Sequence, residues 1–177
     1  MLTRLWNLLR HAWLDDGDSR RLVPPAVLER VMARVAEGER RHRGQVRVVV
    51  EPALPLSYAW RHVRDGTAMH LLVHQRATML FGKLRVWDTE LNNGVLIYLL
   101  MAEHRIELLA DRGLAARVPA AEWQAVVERL GRALAAGQFE TGLLEAVDAV
   151  SGALERHFPA RAGEAHPNEL PDAPVRL

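Results

Sequence analysis

The chain has 177 residues, 49% apolar and 25% charged, enough for one domain that buries roughly 70% of its unfolded surface. Lysine and arginine number 23 against 22 acidic residues, a balance that gives no field for nucleic-acid binding, and no such partner is expected. Cysteine is absent, which removes disulfides, thiolate metal ligands and a cysteine nucleophile together.

The first residues, "MLTRLWNLLRHAWLDD", place Leu2, Leu5, Trp6, Leu9 and Trp13 at helical spacing. This predicts an amphipathic helix, either packed on the domain or lying on a membrane or partner surface. Its apolar runs fall short of the about 7 to 15 residues of a signal-peptide core, and no segment approaches the about 20 needed to span a bilayer. A cytoplasmic protein is therefore expected, with residues 1–21 as helix and linker ahead of a domain over 22–159.

Pro24 and Pro25 open a helix, with Leu28, Val31, Met32 and Val35 on one face and Gly44 closing it. The run "GERRHRG", 38–44, reads as a solvated helix end beside a turn. "VRVVVE", 46–51, is a β-branched strand. Residues 52–66, with Pro52, Pro55 and Gly66, read as loop with room for a turn of helix. From Thr67 the helical period returns, striping Met69, Leu72, Val73, Ala77, Leu80, Phe81 and Leu84. His70 and His74 on that helix have zinc-pair spacing, but "HLLVH" lacks the flanking glutamate of a metalloprotease helix, so a polar helix face is expected.

"GVLIYLLM", 94–101, is apolar on both alternating faces, as a strand covered on both sides must be. "RIELLAD", 105–111, follows after a connection too short for a crossover, so the two pair antiparallel. The strand at 46–51 and the strand at 94–101 flank a helix and should be parallel. Two further helices are striped by Trp123, Val126, Val127, Leu130 and Leu134, and by Phe139, Leu143, Val147, Val150, Leu154 and Phe158. The proline-rich residues 160–177 are expected to be disordered. The expected fold class is α/β, a three-layer α/β/α sandwich around a small mixed sheet.

This topology carries a functional expectation. Because the strand ending at Asp111 runs back beside its neighbour, Asp111 returns to the edge from which 94–101 sets out. Asp88, Glu90, Asn92, Asn93 and Asp111 then face one lip of the fold. Carboxylate and amide oxygens converging there suit a hard cation such as calcium, which takes about six to eight oxygens. The same residues also serve as turn formers, with Asp88 capping a turn and Asn93-Gly94 supplying positive φ.

"LRVWDTELNNGVLIYLL" and "IELLADRG", with "GQVRVVVEPALP", the Arg76, Ala77 and Phe81 pattern, and the later "EW" and "RHFP", resemble the soluble bacterial branch of the TPM domain family. Its relatives include thylakoid-lumen acid-phosphatase-like proteins, a photosystem II repair protein and a receptor modulator. The resemblance covers most of 22–159 and implies the same three-layer fold, calcium as a cofactor at the strand ends, and an acid phosphatase activity. Where relatives often carry Gly-Tyr-Gly, this chain has "ADRG". Two functions follow as expectations. One is a binding module whose acidic rim, Asp88, Glu90, Asn92, Asn93 and Asp111, holds a divalent cation or a protein partner. The other is a metal-assisted phosphatase, with Asp88 and a bound cation orienting water and Arg85 or Arg112 holding phosphate oxygens.

Overall fold

The computed structural model describes residues 23–161 and 168–177. The amphipathic reading of the first residues lies outside them. Helix α1, Pro25–Glu39, has proline at its first position, where the missing N–H costs no hydrogen bond. It buries Val27, Val31 and Val35 and leaves Met32 substantially exposed, so the inward face is turned slightly from the expected stripe. Strand β1, Gln45–Glu51, follows, then α2, Leu56–Arg64, and α3, Met69–Lys83. Strands β2, Gly94–Leu100, and β3, Arg105–Ala110, lead into a one-turn helix α4, Arg112–Ala115. Helices α5, Ala120–Ala135, and α6, Phe139–His157, precede a two-residue strand β4, Val175–Arg176.

The sheet order is β3-β2-β1-β4. β1 pairs parallel with β2, with Gln45 opposite Gly94 and Glu51 opposite Leu100. β2 pairs antiparallel with β3, with Val95 opposite Ala110 and Leu100 opposite Arg105. Every residue of β1 and β2 is buried, because helices cover both faces. On one face Val46, Val48, Val95, Ile97 and Leu99 pack against α1, α5 and α6. On the other, Val49, Leu96, Tyr98 and Leu100 pack against α3 and the end of the chain. The result is the expected mixed sheet between two helical layers. Among the described residues no helix is long and apolar enough to cross a membrane.

Two segments differ from expectation. Residues 56–64 form a full helix, for which Pro55 sets the entry, and its Leu56 and Trp60, one turn apart, are exposed. The expected disorder of 160–177 does not hold for 168–177, which docks as a strap along β1. Leu170 is buried, Val175 and Leu177 pack on the α3 face, and Val49 pairs with Val175. Side chains of the sheet seize its backbone: Gln45 Oε1 accepts the Leu170 N–H at 2.8 Å, and Arg47 donates to the carbonyls of Pro171 and Ala173. Polar contacts of this kind carry no periodicity, so composition alone suggests disorder.

A buried charge cluster closes the far end of the β1–β2 pair. Glu51 accepts from Arg76 Nε at 3.0 Å and from the Tyr98 hydroxyl at 2.7 Å. Burial and then the Glu51 carboxylate push the Tyr98 hydroxyl well above its ordinary range. Burial lowers the Arg76 guanidinium, but its hydrogen bond to Glu51 together with the charge of Glu51 and the nearby Tyr98 and Tyr58 outweighs that and holds it above its ordinary value. Removing one member strands the other in a low-dielectric interior. Arg76→Ala should destabilise the domain by about 3–5 kcal/mol in urea unfolding, and the double substitution Glu51→Leu, Arg76→Met by less. At the opposite end, a Cβ on Gly94 would overlap the Val86 carbonyl oxygen. Gly94→Ala should cost about 1–3 kcal/mol in the same measurement, as the backbone of the preceding turn is displaced.

Candidate functional site

The site is built from the chain between α3 and β2 and from the return of β3. After α3 the backbone turns through Arg85 and Asn92, both at positive φ. Thr89 is buried and organises the second turn: its carbonyl accepts the Asn92 N–H at 3.1 Å and its hydroxyl the Asn93 N–H at 3.0 Å. Asn93 is wholly buried and donates through Nδ2 to the Arg43 carbonyl at 3.1 Å, fixing this loop to the foot of β1. On its other side the Asp111 N–H donates to the Gly94 carbonyl and the Gly113 N–H to the Asn92 carbonyl, each at 2.8 Å. A side chain at Gly113 would collide with the carbonyls of Leu91 and Asn92, so glycine permits this close approach. Asp111 is therefore held against the same edge as residues 92–94.

The five oxygen-bearing side chains reach one edge but divide among different neighbours. Asp88 is ion-paired with Arg85. Glu90, 68% exposed, pairs with Arg43 Nη2 at 3.1 Å. Asn92 Oδ1 accepts from Arg112 Nε at 2.9 Å. Asp111 Oδ1 accepts the Arg112 N–H at 2.7 Å and so caps α4. Two oxygens are left over: among the described residues, Asn93 Oδ1 and Asp111 Oδ2 are buried without a hydrogen-bond partner. A buried acceptor without a donor costs about 1–3 kcal/mol relative to a satisfied one. Among the described residues no three histidine or acidic side chains gather closely enough to hold a metal ion. A cation here would draw on one carboxylate, an amide and neighbouring backbone carbonyls, a donor set of low charge that suits weak calcium binding.

Several participants were not singled out in the sequence. Arg43 sits in the run read as a solvated helix end, yet it links β1 to both Glu90 and Asn93. Glu169, within the strap, accepts the Glu90 N–H at 2.9 Å and joins the carboxy-terminal segment to the rim. Trp87 stands 52% exposed immediately before Asp88, an aromatic surface at the lip. The histidine pair of α3 resolves as a polar face: His74 Nδ1 meets Glu107 Oε2 at 3.0 Å and His70 is exposed.

This geometry can be set beside known proteins. A search of the curated proteins finds none that matches the sequence. Among solved structures, the chain is similar to the BA42 protein from the psychrophilic bacterium Bizionia argentinensis sp. nov., with 22% identity and a TM-score of 0.71 over 86% of this chain and 93% of that one. At that identity the likeness speaks for the fold. A family model described as the TPM domain matches residues 18–153, well over half of the sequence, and the chain belongs to the TPM domain family.

Proposed function

We propose that this TPM domain is a binding module whose rim takes a divalent cation, calcium in the first instance, at the edge shared by Asn93 and Asp111. The observation that carries this reading is the pair of buried, unpartnered oxygens, Asn93 Oδ1 and Asp111 Oδ2, at the end where β2 starts and β3 returns. Asn92 is one exchange of partner away, since Arg112 can leave its Oδ1 for solvent. Asp88 and Glu90 are held by Arg85 and Arg43, and they act as an outer ring that draws cations to the rim. A protein partner fits the same surface, with exposed Trp87 as the aromatic anchor. Residence in the cytoplasm is part of the proposal and rests on the sequence reading alone.

Phosphate-ester hydrolysis is the lesser reading. It is favoured by the guanidinium groups of Arg85 and Arg112 at the rim, which suit phosphate oxygens. Both already hold rim oxygens, of Asp88 and Asn92 respectively.

Calcium at about 100 times its dissociation constant should stabilise the native domain by about 2.7 kcal/mol, read as a rise in thermal midpoint. The rise should vanish in Asp111→Asn and in Asn93→Leu, while Asp88→Ala, which removes only an outer charge, should weaken it without abolishing it. No rise in the unaltered protein, or a rise of equal size in Asp111→Asn, refutes the cation reading. Hydrolysis of a generic phosphate ester that persists in Asp111→Asn and Asp88→Ala alike would be assigned to a contaminant.

A further inference from the structure

The strap 168–177 lies beyond residues 18–153, the part matched by the family model. Within the matched part β1 is an edge strand, and in the sheet order β3-β2-β1-β4 the strap is what covers it. An uncovered edge presents a row of unpaired N–H and C=O groups, a template for another strand. The cover is slight. Against the seven residues of β1 its ladder is Val49 opposite Val175 and Val50 opposite Arg176, with the Leu177 N–H on the Val50 carbonyl. Toward the start of β1 side chains take over: Gln45 Oε1 accepts the Leu170 N–H at 2.8 Å, and Arg47 Nη1 donates to the carbonyls of Pro171 and Ala173. These contacts read an extended backbone and no particular side chain. Selection is left to apolar residues such as Leu170, Val175 and Leu177, which pack on the α3 layer.

The strap does not complete this edge. Arg47 is 5% exposed, and burial holds its guanidinium below the ordinary value. Its Nε is buried without a hydrogen-bond partner, as is the Nε of Arg176 on the strap. Asp172 sits between the two carbonyls that Arg47 holds, yet its Oδ1 accepts from Asn168 Nδ2 at 2.5 Å. Glu39, the other acid in the field of Arg47, accepts the Val46 N–H through Oε1 at 2.8 Å. A buried guanidinium bonded to neutral carbonyls, with an N–H left over, is matched best by a carboxylate.

We propose that the edge of β1 is a strand-addition site for an extended peptide with apolar anchors and a carboxylate aimed at Arg47, a site that the strap fills within its own chain and such a partner segment fills in its place. The partner inherits the backbone contacts of Gln45, Arg47 and Val50, since these make no demand on sequence. It gains over the strap by giving Arg47 the ion pair that Asp172, turned toward Asn168, does not complete.

A labelled peptide with the sequence of the strap, "NELPDAPVRL", is the probe. In the full chain carrying Leu170→Ser and Val175→Ser, whose own strap has lost two anchors, the peptide should bind saturably by fluorescence polarisation. It should shift the backbone amides of Val49 and Val50 in NMR and leave the Ile97 methyls of the opposite core in place. The unaltered chain should bind it at least about tenfold more weakly, because the tethered strap competes at an effective concentration of about millimolar. An Asn168→Ala peptide, in which Asp172 is free to turn to Arg47, should bind the same variant about tenfold more tightly, the gain expected of a hydrogen bond to a charged group. That gain should vanish when the peptide also carries Asp172→Asn, and when the protein carries Arg47→Met. Leu170→Ser alone serves if the double variant loses the Ile97 signals. No saturable binding by a folded strap variant overturns the proposal. So do equal affinity in the unaltered chain, shifts that bypass Val49 and Val50, and an Asn168→Ala peptide that gains nothing or keeps its gain with Asp172→Asn.

Discussion

The register of β2 against β3 is the constraint from which the candidate site follows. A strand that leaves the hairpin at Arg105 opposite Leu100 must bring Ala110 opposite Val95, and the next residue is then forced to the edge where β2 began. The hydrogen bond from the Asp111 N–H to the Gly94 carbonyl is the direct consequence. A slip of one residue would turn every β3 side chain to the other layer. It would also carry Asp111 away from Asn93. The polar edge is thus placed by the same hydrophobic register that builds the core, since Ile106, Leu108 and Ala110 pack on the face of Ile97.

Charge at the two ends of the sheet is arranged on different principles. Glu51, Tyr98 and the part-buried Arg76 satisfy one another at one end. At the opposite end the side chains are only partly satisfied. Arginines hold the exposed carboxylates, while Asn93 and Asp111 each keep one buried oxygen without a donor. On the proposed reading, a ligand that supplies the missing partner at this edge would recover free energy the fold has left unclaimed.

The sheet was legible because burial on both faces writes a distinctive pattern: "GVLIYLL" admits no polar alternation, and the brief connection after it admits only a reversal. The convergence of Asp111 with residues 92–94 was legible for the same reason. The division of rim oxygens among Arg43, Arg85 and Arg112 was not, since arginine at a helix end looks alike whether it is solvated or bridges two strands. Helix α2 escaped because Pro52, Pro55 and Gly66 mark its segment as loop, although Leu56, Trp60 and Val63 recur at helical spacing. The strap escaped because three prolines in 160–177 and few apolar groups suggest a chain too poor in burial to order. Its order comes instead from Gln45 and Arg47 reaching outward, which only the folded sheet positions.

The central claim is that one end of the sheet, and specifically the pair Asn93 and Asp111, receives a divalent cation. A calcium titration followed by amide and side-chain NMR tests it residue by residue. The account predicts that the Asn93 side-chain amide and the backbone amides of Asp111 and Gly113 shift together along a single saturable curve. The resonances of Glu51 and Tyr98, at the far end of the sheet, should remain in place. Saturable shifts confined to other residues, or none at all at these positions, would contradict it.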